Sequence, residues 1–187
     1  MSTQARFYFD FIDPLSYLQE IELLALGADI ERIGFELAPP PEPLTAVSDA
    51  RWKDRWAAAR RLAPTAGVEL APPTLVPWSR KAHELHLHAA ENGRGDEVRR
   101  AIFEAYFGRG EDIGRVDRLL ALAVSLGLDR TATKAALDVD RHQEAVVEAR
   151  RAAAEAGISD APTIVVAGRI LRGFHNRADL GTLVGIG

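Results

Sequence analysis

The β-strand patterns of this sequence lie at its two ends, separated by about a hundred residues of helical pattern. Near the start, residues 6–12 are rich in β-favouring aromatic and branched side chains. Asp13-Pro14 then combines a preferred N-cap with a preferred first-turn residue, which predicts a helix up to Gly27. Residues 35–38 alternate and predict a second strand, ended by three prolines. The β-α-β order favours a right-handed crossover and a parallel strand pair.

The middle of the chain is predicted to be entirely helical, and the end returns to strands. Helix patterns cover residues 49–63, 79–91, 97–107, 116–126 and 140–156, with a short segment at 131–137. A strand at Thr163–Val166, a turn at 167–168, a strand at 170–172 and a helix at 176–184 follow. Together these elements predict an α/β protein: a four-stranded mixed sheet in the thioredoxin-like topology. Residues 1–48 and 157–187 would form this domain, and residues 49–156 an inserted all-α helical subdomain.

Composition restricts the chemistry and the partners of the chain. The 187 residues include no cysteine, so neither a disulfide nor a cysteine nucleophile can form. The net charge of −4 gives no general attraction to nucleic acid or to anionic membranes. The N-terminus lacks the pattern of a secretory signal, and the sequence has no run of apolar residues long enough for a membrane span. We therefore expect a cytoplasmic protein with neither nucleic acid nor membrane as partner.

Three segments of the chain carry a family resemblance. FYFDFIDPLSYL near the start, AAAEAGISDAPTIVVAGRI after the helical middle and RGFHNRADL near the end resemble the DsbA-like branch of the thioredoxin superfamily. Within that branch the chain is most similar to 2-hydroxychromene-2-carboxylate isomerases and kappa-class glutathione transferases, followed by FrnE-type relatives of DsbA. The resemblance implies a DsbA-like fold, a site where the first strand meets the first helix, and glutathione as cofactor. It leaves open whether the chain is a monomer or a homodimer.

At the family's reactive position the chain has an acid. Redox members carry Cys-x-x-Cys there, and the isomerase and transferase branches resemble Ser-x-x-Ser. Aligned on that pattern, Asp13 replaces the first Ser and Ser16 matches the second, which makes these two the candidate catalytic residues. A carboxylate at a helix N-terminus is stabilised and is expected to stay ionised with a low pKa, so it would repel a thiolate. Alternatively, Asp13 is only a helix cap, and the Ser16 hydroxyl serves a local backbone group.

Two further segments match the family's ligand-binding loops. Ala161-Pro162 matches the cis-proline loop, where the resemblance implies that the Ala161 N–H and C=O pair with the backbone of a thiol ligand. The alternative is an ordinary trans proline at the start of a strand. Gly173, His175 and Asn176 occupy the last loop, where isomerase and transferase relatives place an Asp that binds the ligand's amino group. Asn176 cannot form that ion pair, which argues against glutathione, although it can cap the last helix.

A basic stretch lies in the first predicted helix of the helical middle. It contains Arg51, Lys53, Arg55, Arg60 and Arg61. One interpretation is a solvated helix face over the apolar stripe of Trp52 and Trp56. In the other, one or two of these arginines face the cleft and bind a substrate carboxylate, for which the planar guanidinium is suited.

The histidines at 83, 86 and 88 share a short stretch of predicted helix. His83 and His86 lie on one helix face, but the sequence offers no third ligand in a defined geometry, so we predict no metal site. We expect all three side chains to be exposed to solvent.

Three functions are compatible with the sequence. The first is a thioredoxin-fold enzyme without redox cysteines, similar to the glutathione-dependent isomerases and transferases and acting on a small aromatic or conjugated acid. The second is a DsbA- or FrnE-type oxidoreductase homologue without dithiol activity. The third is a non-catalytic module that binds a thiol or an extended peptide at the cis-proline edge.

Overall fold

The computed structural model describes residues 5–184 and has a four-stranded mixed sheet at its centre. The strands are β1 (Arg6–Phe9), β2 (Glu31–Gly34), β3 (Thr163–Val166) and β4 (Arg169–Arg172). Their order is β2-β1-β3-β4, with β1 parallel to β2 and antiparallel to β3. Residues 1–4 and 185–187, which the sequence analysis includes in the thioredoxin-like domain, lie outside the described residues. The predicted α/β class and mixed sheet are confirmed.

Eight α-helices accompany the sheet in the described part of the chain. They are α1 (Pro14–Leu26), α2 (Ala50–Ala66), α3 (Arg80–Glu91), α4 (Gly95–Phe103), α5 (Val116–Ser125), α6 (Arg130–Asp138), α7 (Gln143–Glu155) and α8 (Arg177–Val184). A π-helical turn, Glu104–Gly108, continues α4. Among residues 5–184, no helix combines the length and the apolar character needed to cross a membrane.

The first strand is covered on both faces. Phe7 and Phe9 point into the main core, where Phe9 packs against Phe103 of α4 at a ring distance of 5.7 Å. Tyr8 points to the other face, into a second core that includes Ala153 of α7. Helices on both faces explain why the first strand is continuously apolar.

The second strand is not where the sequence analysis predicts it. It runs from Glu31 to Gly34 instead of over residues 35–38. As an edge strand, β2 exposes part of its surface, so it carries charged residues that a search for apolar alternation misses. Arg6 bonds Glu31 across the pair, and Arg32 reaches Glu20 of α1 at 3.1 Å.

The end of this strand lies directly against the ring of His83 on α3. A Cβ atom added at Gly34 would lie 2.5 Å from His83 Nδ1. We expect Gly34→Ala to lower the free energy of unfolding by about 1–3 kcal/mol, because the buried ring must shift within a packed core. Urea unfolding measures this change, and repeating it in a His83→Ala background, which lacks the ring, separates the clash from general effects of losing a glycine. A loss that is as large without the His83 ring as with it would contradict the packing.

Candidate functional site at the start of the first helix

Asp13 caps α1. Its side chain is fully buried, and its Oδ2 accepts hydrogen bonds from the Ser16 backbone N–H at 2.7 Å and from the Ser16 hydroxyl at 2.6 Å. The predicted capping role is therefore confirmed. The Ser16 hydroxyl also accepts a bond from the Asp10 backbone N–H at 3.3 Å. Asp13 Oδ2 and the Ser16 hydroxyl oxygen thus both bond to neighbouring groups, so Ser16 stabilises the first turn of α1.

An arginine of α2 joins the two separated parts of the site. Nη1 of Arg55 donates to Asp13 Oδ1 at 2.9 Å and to the Ala161 carbonyl at 2.7 Å. Its Nη2 pairs with Asp160. The antiparallel pairing of β1 and β3 places Tyr8 opposite Thr163. The residues that follow Phe9 and those that precede Thr163 therefore lie at the same edge of the sheet, which brings Asp13 close to Ala161. Of the five basic residues in this stretch, Arg55 is the one bonded to both segments.

Burial reverses the expected titration of Asp13. A carboxylate at a helix N-terminus is expected to have a low pKa, and for Asp13 this expectation is wrong. Removal of the carboxyl group from water raises the pKa of Asp13 from 3.8 to about 6, although the Arg55 charge and the bonds from Ser16 oppose the shift. Desolvation penalises the charged form more than one arginine compensates. Asp13 therefore titrates close to neutral pH.

This raised pKa makes the fold less stable as the pH rises from about 4 to about 6. Across that window the folded state keeps a proton that the unfolded state has lost, so the free energy of unfolding falls. The difference between 3.8 and about 6 corresponds to about 3 kcal/mol. We expect urea unfolding to show Asp13→Asn gaining about 3 kcal/mol on the wild type between about pH 4 and pH 7. An unchanging difference between the two proteins would show that Asp13 does not titrate in this range.

The cis-proline loop closes on itself at this site. The peptide bond between Ala161 and Pro162 is cis. The Ala161 N–H donates to Asp160 Oδ1 at 2.9 Å, and its carbonyl accepts from Arg55. Both backbone groups that the resemblance assigns to a ligand thus have partners within the chain. A ligand that pairs with them must first displace Arg55 and Asp160.

The loop at residues 173–176 contacts α1 further along the helix than Asp13. The Gly173 N–H donates to the Pro162 carbonyl at 2.9 Å, so this residue stays near the cis-proline loop. The His175 N–H donates to Gln19 Oε1 at 2.7 Å, and Gln19 Nε2 returns a bond to the His175 carbonyl at 3.1 Å. Asn176 accepts from the Asp179 N–H at 3.0 Å, which confirms the predicted cap of α8. The fully buried Gln19 is missed by the sequence analysis, and its only sequence signal is a polar residue inside an apolar helix.

A pocket of about 380 Å³ lies beside Arg55. Its lining includes Ile12, Asp49, Arg51, Trp52 and Arg55. Asp13 lies behind the Arg55 guanidinium and does not line the pocket. The loop at residues 173–176 does not line it either. The structure thus brings Asp13, Ser16, Ala161 and Pro162 together, and it places Asn176 next to a separate, smaller pocket near Glu22.

The predicted exposure of the α3 histidines is wrong. His83, His86 and His88 are all buried. His83 Nε2 lies 3.2 Å from Asp10 Oδ1, and Asp10 Oδ2 accepts from the Leu37 N–H at 2.7 Å. Asp10, which interrupts the apolar pattern of the first strand, is therefore buried and connects α3 to the segment after β2. A single aspartate in an apolar run does not predict this role.

Comparisons with known proteins agree with this architecture. The model of the DSBA-like thioredoxin domain matches residues 4–183. The Bacillus subtilis protein YwbO is 29% identical over 182 residues, covering 92% of this chain and 91% of YwbO. A 2-hydroxychromene-2-carboxylate isomerase structure superposes with a TM-score of 0.80 at 24% identity, over 98% of this chain and 94% of that one. The cytosolic disulfide reductase DsbM from Pseudomonas aeruginosa with GSH superposes with a TM-score of 0.65 at 18% identity, over 92% and 89%.

The family match spans nearly the whole chain, from before the first strand to the last helix. It includes the helix start that carries Asp13 and the cis-proline loop that carries Ala161. Solved structures at this level of identity support the fold alone. A cysteine-free chain with this sheet, these helices and this loop thus belongs to the DsbA-like thioredoxin domain family.

Proposed function

We propose that this protein is an isomerase that acts on a small conjugated or aromatic carboxylic acid by proton transfer through Asp13. The observation that carries this proposal is the contact between Arg55, which lines the pocket, and the buried Asp13 carboxyl group behind it. The absence of cysteine removes dithiol exchange as an alternative. We take the reaction class to be tested from the isomerase among the structural neighbours, whose likeness to this chain shows the shared fold.

The proposed reaction needs no external co-reactant. The Asp13 carboxylate takes a proton from the saturated carbon between a carbonyl group and a carbon–carbon double bond, and the electron pair of that C–H bond moves into the carbonyl group to give a conjugated dienolate system. The same proton then returns at the other end of that system, so atoms and electrons balance within the substrate. A base with a pKa of about 6 is ionised at neutral pH and still able to return the proton.

Arg55 is proposed to link substrate binding to the exposure of Asp13. Its guanidinium already bonds two carboxylates, those of Asp13 and Asp160. A substrate carboxylate entering from the pocket offers the same bidentate partner. When Nη2 of the guanidinium turns to the substrate carboxylate in place of Asp160, Asp13 is uncovered on its pocket side, and Nη1 stays bonded to Asp13 and keeps it ionised. The proposal therefore requires an acidic substrate.

A panel of aryl-substituted keto acids, in which one CH2 group separates the carbonyl group from the double bond, tests this function. We expect at least one member to bind in calorimetry and to isomerise, as followed by its ultraviolet absorption, with no thiol added. Arg55→Lys should weaken binding, because Lys retains the charge but not the planar fork. If no acid binds, or if every isomerisation depends on added glutathione, the proton-transfer proposal fails.

Glutathione is a second candidate ligand, supported by the neighbour that carries GSH in its structure. Its thiolate would add to an unsaturated carbon of the substrate, allow rotation about the resulting single bond, and leave. Two features of the site oppose this route. The resemblance implies that the thiolate would bind beside Asp13, whose charge would repel it, and the Ala161 backbone groups are bonded to Arg55 and Asp160.

Calorimetry with reduced glutathione separates the two candidates. We expect the wild type to bind it weakly and Asp13→Ser to bind it more tightly, because the serine hydroxyl donates to a thiolate and the repulsion is removed. Equal binding by the two proteins would mean that the carboxyl group does not oppose the thiolate.

The homodimer, the cytoplasmic location and the division into residues 1–48 with 157–187 and residues 49–156 stay predictions.

A further inference from the structure

Two histidines and a glutamate converge at the end of α3, on residues that the proposed active site does not use. His88 and Glu91 lie on the last turn of that helix, and His142 directly precedes α7. One ring nitrogen from each histidine and one Glu91 carboxylate oxygen all lie within 4.8 Å of one another. His142 Nε2 and Glu91 Oε2 are 3.7 Å apart.

The ring nitrogens at this cluster lack the partners that buried polar atoms normally have. His88 is 5% exposed and His142 is 7% exposed. Neither His88 Nδ1 nor His142 Nε2 makes a hydrogen bond within the described part of the chain. Buried nitrogens with free lone pairs are costly unless a further group binds them. The two atoms are therefore available as ligands.

The other nitrogen of His88 is already positioned by the protein. His88 Nε2 lies 3.3 Å from the Oγ1 atom of the fully buried Thr133 on α6. Metal-binding histidines commonly bond a protein oxygen through the nitrogen that does not bind the metal, which fixes the orientation of the ring. With Nε2 held in this way, Nδ1 is the atom free to coordinate.

The segment that carries His142 is also fixed against α3. Lys81 of α3 donates to the Leu137 carbonyl at 2.6 Å and pairs with Asp140. Arg141 lies 3.8 Å from the Glu91 carboxylate and competes with a metal ion for it, but the Arg141 side chain is 60% exposed and free to turn into solvent. Closing the cluster around an ion requires mainly a movement of the exposed Glu91 carboxylate.

We propose that His88, Glu91 and His142 form a binding site for a divalent transition-metal ion of the zinc class. Two imidazole nitrogens and one carboxylate oxygen are a common zinc ligand set, and water completes the coordination. Hard cations such as Mg²⁺ and Ca²⁺ prefer oxygen ligands and would bind poorly here. The ion would join the end of α3 to the start of α7.

Titration of the untagged full-length chain with Zn²⁺ after chelator treatment tests the site. We expect one ion per chain with micromolar or tighter affinity in calorimetry, and no detectable binding of Mg²⁺. Glu91→Gln and His142→Gln should each weaken Zn²⁺ binding by at least about tenfold. Glu148→Gln, which changes an exposed acid on α7 outside the cluster, should bind as the wild type does.

Nitrogen-15 spectra of the histidine rings keep the test independent of how the variants fold. In the wild type, added Zn²⁺ should shift the ring signals of His88 and His142 and leave those of His83 and His86 in place. Failure of the wild type to bind Zn²⁺ would overturn the proposal. Binding that Glu91→Gln leaves unchanged, or that shifts other histidines instead, would also overturn it.

Discussion

Replacing Arg55 by Met is expected to lower the free energy of unfolding by about 3 kcal/mol at pH 7. The substitution removes the charge partner of the fully buried Asp13 and a donor to the Ala161 carbonyl. Removing one partner of a buried ion pair commonly costs about 3–5 kcal/mol. Protonation of Asp13 holds the loss near the lower limit, because the carboxyl group without Arg55 keeps its proton at neutral pH.

The loss of stability on replacing Arg55 depends on pH. While Asp13 is protonated in the folded variant and ionised in the unfolded chain, each pH unit adds about 1.4 kcal/mol to the destabilisation. Urea unfolding at pH 7 and pH 8 therefore measures a loss that grows with pH. Arg51→Met, on the same helix and beside the same pocket but exposed, should change stability by less than about 0.5 kcal/mol. A loss below about 1 kcal/mol at both pH values would mean that Arg55 does not support Asp13.

Replacing Asp13 by Asn is expected to lower the rate of the proposed isomerisation by about a hundredfold to ten-thousandfold. Asn retains the size and the capping oxygen of Asp, but it cannot accept and return a proton. General acid–base groups typically contribute factors of this size. Steady-state rates, measured on whichever acid of the panel the wild type isomerises, give the comparison.

A matched control separates the loss of a proton carrier from the loss of a negative charge near the pocket. Asp54→Asn changes an exposed carboxylate next to Arg55 in sequence and should leave the rate within about twofold, because surface charges are largely screened. The rate of the wild type should also fall as Asp13 becomes protonated below about pH 6. An Asp13→Asn variant that is as active as the wild type would remove Asp13 from the mechanism.

Local sequence signals were sufficient for the elements that carry the site. Asp13-Pro14 predicts the start of α1 correctly, and the β-branched residues after Pro162 predict β3. These signals are local because capping and strand preference depend on a few neighbouring residues. The edge strand β2 lacks such a signal, since its charged residues face solvent and neighbouring side chains.

The electrostatics of the site depend on tertiary placement, which explains why they were predicted less well. Whether a carboxyl group at a helix start has a low or a raised pKa depends on how much water reaches it, and burial of Asp13 comes from elements distant in the chain. Selection of Arg55 from several basic residues depends on how α2 packs against α1. The buried histidines of α3 likewise depend on packing around the sheet.

The central claim is that the buried Asp13 carboxyl group, held by Arg55 at the start of α1, titrates near neutral pH. A carbon-13 titration of the Asp13 carboxyl signal, assigned through its loss in Asp13→Asn, tests this claim most directly. The account predicts a single inflection with a pKa of about 6 in the wild type. An inflection at about 4, the ordinary value for an exposed aspartate, would contradict it.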